Sequence, residues 1–303
     1  MTDADAVEGT APSGLALPSP PAAVTRTRLL LAPLVLFDLL AFVVPMGYLL
    51  RVSLSERSTG GALARGTWSV EGYWFLLESA LLRQVFGFTM LFAVVATLLA
   101  VGIGTVYAYA AWRASGAVRT ALLAGVVMSM FTTLVVKLFA ALVVFSPNGV
   151  ANDALLASGL VGEPLPLINN EVGVLIGQLY VVLPYTVLSV YSVLTSLDEH
   201  LVEAAADLGA TPTRAAREVV LPHAVPGMAV GGVIAFAWSA GAFAAPALLG
   251  SASELTVAVE VQNRLTSFEY PVAAALAVAL TAVVFAVLAA GLYGLRRRGA
   301  SDV

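Results

Sequence analysis

Cysteine is absent from the 303 residues. A disulfide framework, a thiolate metal centre and a cysteine nucleophile are therefore excluded. Histidine occurs twice, at His200 and His223, too far apart for an H-E-x-x-H zinc pattern. Lysine occurs once, at Lys137, and is followed by Leu138. The G-K-[ST] signature of a Walker A loop cannot be written, so the chain does not bind nucleotide by a P-loop. Charge is scarce: 11% of residues are Asp, Glu, Lys or Arg, against roughly 25% in soluble domains. That is too little to cover a water-facing surface, which excludes a soluble enzyme and a disordered scaffold. What the chain has instead is apolar residues, 59% of the total, with a mean hydropathy of +0.92. It reads as a membrane protein. The net charge of -4 says little, because placement of charge matters more than its sum.

Residues 1–27 are polar, rich in Pro, Ala and Asp, and lack apolar periodicity, so they are expected to form a disordered cytoplasmic tail. The apolar run from Leu29 is long enough to span and has no small-residue cleavage site, so the first helix is expected to be an uncleaved anchor. Six stretches have the roughly 20 apolar residues needed to cross about 30 Å of hydrocarbon: about 29–50, 85–112, 120–145, 172–195, 225–249 and 273–295. The second and third are long enough to tilt or project. None alternates as a barrel strand would. The expected fold is an all-α membrane protein with six transmembrane helices over 28–298 and a short tail at 299–303.

Basic residues set the orientation. Arg26, Arg28, Arg113, Arg119, Arg214, Arg217, Arg296, Arg297 and Arg298 fall on one side of this arrangement, and Arg51, Arg57, Arg65, Arg83 and Arg264 on the other. Both termini are therefore expected in the cytoplasm. The outer loops and their flanks carry nine acidic residues against those five arginines. This is compatible with a cationic solute, with a basic partner, or simply with the positive-inside rule.

The loop at 196–224, on the cytoplasmic side, is the most informative segment. Ser196-Leu197-Asp198-Glu199 has capping-box spacing. Leu197, Leu201, Ala204 or Ala205, and Leu208 fall on one helical face. Gly209 stands where a helix ends in a left-handed residue. Thr211-Pro212 restarts a helix with Thr as N-cap and Pro in the first turn, and Leu221-Pro222 is expected to end it. Two short helices meeting at a glycine would lie beneath the membrane. Glu203, Asp207, Arg214 and Arg217 supply charge for docking, and the small residues at 204–206 admit a partner surface. An ordinary amphipathic interfacial hairpin would share the helix pattern.

Glu203-Ala204-Ala205, Gly209, Val219 and Leu221-Pro222 together resemble the EAA motif of ABC importer permeases, EAA-x3-G-x9-I-x-L-P, with Val219 in place of Ile. The stretch Gly241-Ala242-Phe243-Ala244-Ala245-Pro246-Ala247-Leu248-Leu249-Gly250 is similar to the GAFVTPALLGG segment of spermidine/putrescine-type permeases, with Ala245 for Thr and Ser251 for the second Gly. Asn148 to Leu167 and Phe268 to Ala274 read like the same subfamily, and the resemblance covers about 29–296. It implies a type I importer permease in a bacterial plasma (inner) membrane, not itself an enzyme. Its partners would be an ABC ATPase dimer that binds ATP and Mg, a second and different permease, and an extracytoplasmic solute-binding protein. The 198–222 loop would be the coupling element between permease and ATPase. The solute, a polyamine or related cation or another small solute, would pass by alternating access.

Asp38 and Lys137 are the charges within spans, and such residues default to functional roles. Lys137 is expected to snorkel from near the outer end of its helix, or to pair with Asp38. Asp38 could instead bond to a neighbouring helix or line the path of a cationic solute. Gln178, Tyr180, Tyr185 and Phe243 are further path candidates, with Pro184 as a kink. Tyr107, Trp112 and Tyr293 are expected in the aromatic belt, and Gly227, Gly231 and Gly232 at close helix contacts. An ion-coupled secondary transporter is the rival reading, although no internal repeat is evident.

Overall fold

A computed structural model describes residues 31, 33–56, 67–251 and 253–299. The tail expected over 1–27, together with Arg26, Arg28, Arg57, Arg65 and the last four residues, lies outside the described residues. The chain divides into two units at Leu49–Leu50. The first unit holds most of α1 (Pro33–Ser53), an apolar helix that would span a membrane. A π turn at Leu39–Val43 interrupts its regular ladder immediately after Asp38.

The second unit is built around three long helices. The first, α3 (Ala80–Arg113), has 34 residues and a length of about 51 Å, well beyond the hydrocarbon thickness of about 30 Å. The preceding helix, α2 (Glu71–Glu78), meets it at Ser79, whose hydroxyl accepts from Leu82 N and caps α3. The expected third span is not continuous. Helices α4 (Gly116–Phe131) and α5 (Leu134–Val144) are bent by 111° at Thr132 and Thr133. Both threonines adopt extended backbone, and Thr132 Oγ1 donates back to Met128 O at 3.0 Å. A β-branched pair whose hydroxyl competes for helix carbonyls is a poor helix interior.

After α6 (Val150–Ala157), α7 (Glu171–Leu194) runs through Pro184 without breaking. Asn170 caps it by accepting from Gly173 N at 3.0 Å. The 196–224 segment supplies α8 (Glu199–Asp207) and the start of α9 (Pro212–Ala240), one helix of 29 residues. The fifth span therefore begins earlier and ends sooner than the expected 225–249. It stops at Gly241, and Ala244–Leu249 forms a separate short helix, α10. Helices α11 (Val257–Thr266) and α12 (Tyr270–Gly299) complete the chain.

Helices α3, α7 and α9 pack mutually. The buried face of α3 carries Ala93, Ala96, Ala100, Gly104, Ala108 and Ala111 at three- and four-residue spacing. Lipid tails are as apolar as a core, so close packing of small residues drives association here. A Cβ added to Gly104 would lie 2.5 Å from Thr186 Oγ1, and one on Gly227 2.7 Å from Ser189 O. One on Gly231 would lie 3.0 Å from Thr186 Cα. The expected close contacts at Gly227 and Gly231 are present, while a Cβ added to Gly232 would lie an ordinary 3.5 Å from Val101 Cγ2.

Trp112 is not a belt residue. It is buried with Val126, Val190, Leu194, Leu197 and Val220 where α3, α7 and α9 converge. Its indole packs in this cluster because α3 continues to Arg113 and carries Trp112 over the base of α7. Tyr107 donates its hydroxyl to Leu122 O at 2.9 Å, tying α3 to α4. Tyr293 is exposed on α12.

Candidate functional site

The 196–224 segment is built from local caps. Asp198, not Ser196, is the N-cap of α8: its carboxylate accepts from His200 N at 3.0 Å. Ser196 belongs to the end of α7, where its hydroxyl donates to Val193 O at 2.7 Å and lies 3.3 Å from His223 Nε2. At the far end of α8, Gly209 adopts φ +83°. Its N–H donates to Ala206 O, and the Ala210 N–H donates to Ala205 O. These paired bonds form a Schellman turn, which favours glycine at the left-handed position. Thr211 then caps α9 by accepting from Arg214 N, with Pro212 at its start.

Leu221-Pro222 does not end this second helix. A π turn at Ala216–Val220 precedes it, and Leu221 N–H donates to Ala216 O, five residues back. Proline lacks a donor and crowds the carbonyl four residues earlier. The wider π turn accommodates both defects and lets α9 continue.

One side of the segment is anchored. Leu197, Ala215, Val220 and Ala224 are buried, three of them in the Trp112 cluster. The other side is open: Leu208 is 90% and Leu201 54% exposed. Glu203, Ala204, Asp207, Gly209, Arg214, Arg217, Leu221 and Pro222 are all exposed, and Ala205 is half-buried. Two of the four charged residues singled out in this segment have partners that the sequence did not single out. Arg214 Nε lies 2.9 Å from Glu218 Oε1, and Glu203 Oε2 lies 3.1 Å from His200 Nδ1. These are surface pairs one helical turn long, which shape the face and stabilise it little.

Within the second unit, the membrane-embedded candidates are spread over α5, α7 and the end of α9. Asp38 lies on α1 in the first unit. Lys137 does not snorkel: in the first turns of α5 it is 5% exposed, with Nζ 5.6 Å from the centre of the Tyr180 ring. An ammonium in this setting costs roughly 2.5–3.5 kcal/mol, and a desolvated cation–π contact returns about 2 kcal/mol at best. Gln178 is buried and donates from Nε2 to Ser239 Oγ at 3.1 Å, joining α7 to α9. Tyr185 stacks on Trp238 with centroids 6.0 Å apart. Phe243, 45% exposed, sits at the break between α9 and α10. Tyr180 and Pro184 also line a cavity of about 170 Å³ with Ile103, Tyr107, Ser129 and Val187. The Ser129 hydroxyl is buried there without a hydrogen-bond partner. Ser239, Trp238 and Ser129 carry no motif, and only their helical positions opposite Gln178, Tyr185 and Tyr180 single them out.

Beyond α10, a charged network holds the 250–270 connection. Glu254 is buried and accepts from Ser251 N at 2.6 Å and from Ser253 Oγ at 2.8 Å. Burial alone would raise its carboxyl, but the hydrogen bonds from Ser251 and Ser253 outweigh that and hold it below the usual glutamate value. Arg264 binds Glu260 at 2.7 Å and Glu269 at 2.6 Å. Burial opposes its charge, yet the bonds to these two carboxylates raise its pKa further. Thr256 Oγ1 donates to Ala242 O at 2.8 Å, and Val257 N donates to Thr89 Oγ1 at 2.9 Å, pinning the connection to α3. Among the described residues, no three carboxylates or histidines gather to hold a metal ion.

Residues 150–300 match the family described as the binding-protein-dependent transport system inner membrane component. The chain is 29% identical over 249 residues to the spermidine/putrescine transport system permease protein PotB of Haemophilus influenzae, spanning 82% of this chain and 87% of that one. It is 28% identical over 192 residues to PotB of Escherichia coli, spanning 63% and 70%. Among solved structures, it resembles a chain of a bacterial ABC transporter that imports the acidic polysaccharide alginate, with a TM-score of 0.74 and 18% identity over 91% of this chain and 98% of that one. A second structure, of a bacterial alginate transporter in complex with an alginate pentasaccharide-bound periplasmic protein, matches with a TM-score of 0.75 and 19% identity over 91% and 96%. At such identity the likeness is one of fold.

Proposed function

The chain belongs to the family of binding-protein-dependent transport system inner membrane components, and from that premise we propose that it is the permease of an importer for polyamines or related small cations. As an ABC importer permease it spans the membrane several times and performs no chemistry on its solute. The observation that carries the coupling assignment is the pair of helices α8 and α9. They join at the Schellman turn of Gly209, are anchored on one side in the Trp112 cluster, and are open on the other at Leu201 and Leu208.

On this reading Glu203, Ala204, Ala205, Asp207, Gly209, Arg214, Arg217, Leu221 and Pro222 form the face that docks on an ATPase subunit. A second permease, different from this chain, completes the pathway, and an extracytoplasmic binding protein delivers solute. The excess of arginine beside this segment supports cytoplasmic termini and a cytoplasmic coupling face. The transmembrane domain then covers 28–298, between a tail at 1–27 and another at 299–303. The polyamine assignment draws its support from the two PotB relatives. Asp38, Lys137, Gln178, Tyr180, Tyr185 and Phe243 are the candidates for the path.

The test is uptake by the reconstituted complex with its binding protein. ATP-dependent, vanadate-sensitive accumulation of radiolabelled spermidine or putrescine is expected. Vanadate-sensitive uptake of other solutes alone would keep the importer and reject the polyamine. Uptake that follows an ion gradient without ATP would reject the importer mechanism.

A further inference from the structure

Lys137 is unusual on three counts. It is the one lysine of the chain, it is buried in a membrane-spanning bundle, and its ammonium is placed against an aromatic ring. Among the described residues of the second unit, no carboxylate lies within ion-pair distance of it. The ring it faces, Tyr180, is 39% exposed and also forms part of the cavity that holds the unsatisfied Ser129 hydroxyl. A cation within about 6 Å of a ring centre is attracted by the ring's quadrupole, and the attraction grows as water is excluded. Tyr180 is therefore a cation-binding surface that already holds a cation of the chain itself.

The chemistry of that internal cation matters. A lysine side chain is four methylenes ending in an ammonium, and putrescine is four methylenes with an ammonium at each end. We propose that Lys137 is a tethered stand-in for the solute's ammonium, holding the Tyr180 ring until a solute ammonium entering the bundle displaces it. The proposal rests on the polyamine reading given above and adds to it a position in the bundle and a means of keeping that position occupied.

The surroundings permit displacement. Helix α5 is separated from α4 by the 111° bend at Thr132 and Thr133, so the two do not form one continuous rod. Leu138, next in sequence, packs with Ala245 and Leu249 of α10, the short helix that follows the end of α9. Movement of α9 that reaches α10 is thereby passed to the helix bearing Lys137. A small inorganic cation that displaced Lys137 would bring one charge and no second group, and so would gain no further contact. A polyamine can replace the lysine's charge with an equivalent one and has a second ammonium to bind elsewhere.

The experiment measures equilibrium binding of radiolabelled spermidine to the purified importer complex without its binding protein. Wild type is compared with Lys137→Met, Lys137→Arg, Tyr180→Leu and the double variant Lys137→Met with Tyr180→Leu. Removing the competitor in Lys137→Met is expected to tighten spermidine binding roughly three- to tenfold, while Lys137→Arg stays near wild type. Tyr180→Leu is expected to weaken binding and to abolish the gain in the double variant. Unchanged or weaker binding in an assembled Lys137→Met complex overturns the proposal and makes Lys137 a structural group or a direct ligand. If that variant does not assemble, Tyr180→Leu decides: an assembled complex with wild-type affinity overturns the proposal. Failure of the underlying reading shows separately, as wild-type complex that neither binds nor takes up spermidine or putrescine.

Discussion

Thr186 shares its hydroxyl between two carbonyls, that of Leu183 on its own helix at 2.9 Å and that of Ala100 on α3 at 3.2 Å. The same residue fills the space left by Gly104 on α3 and by Gly231 on α9. Three long helices therefore meet on one side chain. Gly104→Ala is expected to lower the stability of the bundle by roughly 1–3 kcal/mol, the usual effect of overpacking. Thr186→Ala in that background removes the clashing oxygen and should restore part of the loss. Melting midpoints in detergent check both, and an unchanged Gly104→Ala midpoint would contradict the contact.

At Gly209 the demand is on backbone conformation, since an added Cβ meets nothing within 4 Å while φ is +83°. Gly209→Val is expected to strain the turn by about 1–2 kcal/mol and to reduce the ATPase that co-purifies, with normal permease in the membrane. Gly209→Asn tolerates the left-handed region better and should lose less. Equal losses in the two would point to side-chain bulk at a docking face instead.

Glu254 predicts an acid limb in the stability profile. Its carboxyl is held below the ordinary value of 4.5 by Ser251 and Ser253 despite burial. The stabilisation is then complete above that ordinary value and disappears as pH falls through the lower, folded-state value. Glu254→Gln is expected to be less stable near neutral pH and to show a shallower decline in acid. Thermal midpoints of the two proteins across the acid range should converge as pH falls; parallel curves would reject the assignment.

Arg264 neutralises a Glu260 that is 6% exposed and a Glu269 that is 37% exposed. Arg264→Met leaves the buried Glu260 carboxylate without its cation, with Asn263 Nδ2 at 3.4 Å as a remaining donor, a change that typically costs roughly 3–5 kcal/mol. Glu260→Gln together with Arg264→Met should be milder than Arg264→Met alone. Glu269→Gln should have the smallest effect, because water reaches that carboxylate. Stability measurements on these three variants beside wild type form the test.

Much of this architecture was legible in the sequence because its causes are local. Gly209, and Thr211 followed by Pro212, specify a turn and a cap by backbone conformation and hydrogen bonding within a few residues. The structure forms both as expected. The span boundaries were less legible where a local signal has two outcomes. Pro222 reads as a helix end, yet a π turn one step earlier absorbs it and the helix runs on. The bend at Thr132 and Thr133 lies inside an unbroken apolar run, so hydropathy could not report it. Trp112 illustrates a third limit: composition places tryptophan at an interface, but the length of α3 carries this one into a core. Gln178 was identifiable as a polar residue in a span, whereas its partner Ser239 depended on the register between α7 and α9.

The 29 residues of α9 run without a break from the Thr211 cap to Gly241, a rod of about 43 Å. Rods convert small rotations into large displacements. If the Pro212 end is held and the axis tilts by about 10°, the Ala240 end travels about 7 Å, comparable to the width of an extended alkyl chain with its shell of contacts. A helix that ended at Leu221-Pro222 would have dissipated such a motion in a loop. Because the π turn lets the helix absorb its proline, an angular change at one end would be carried to the other along a single axis.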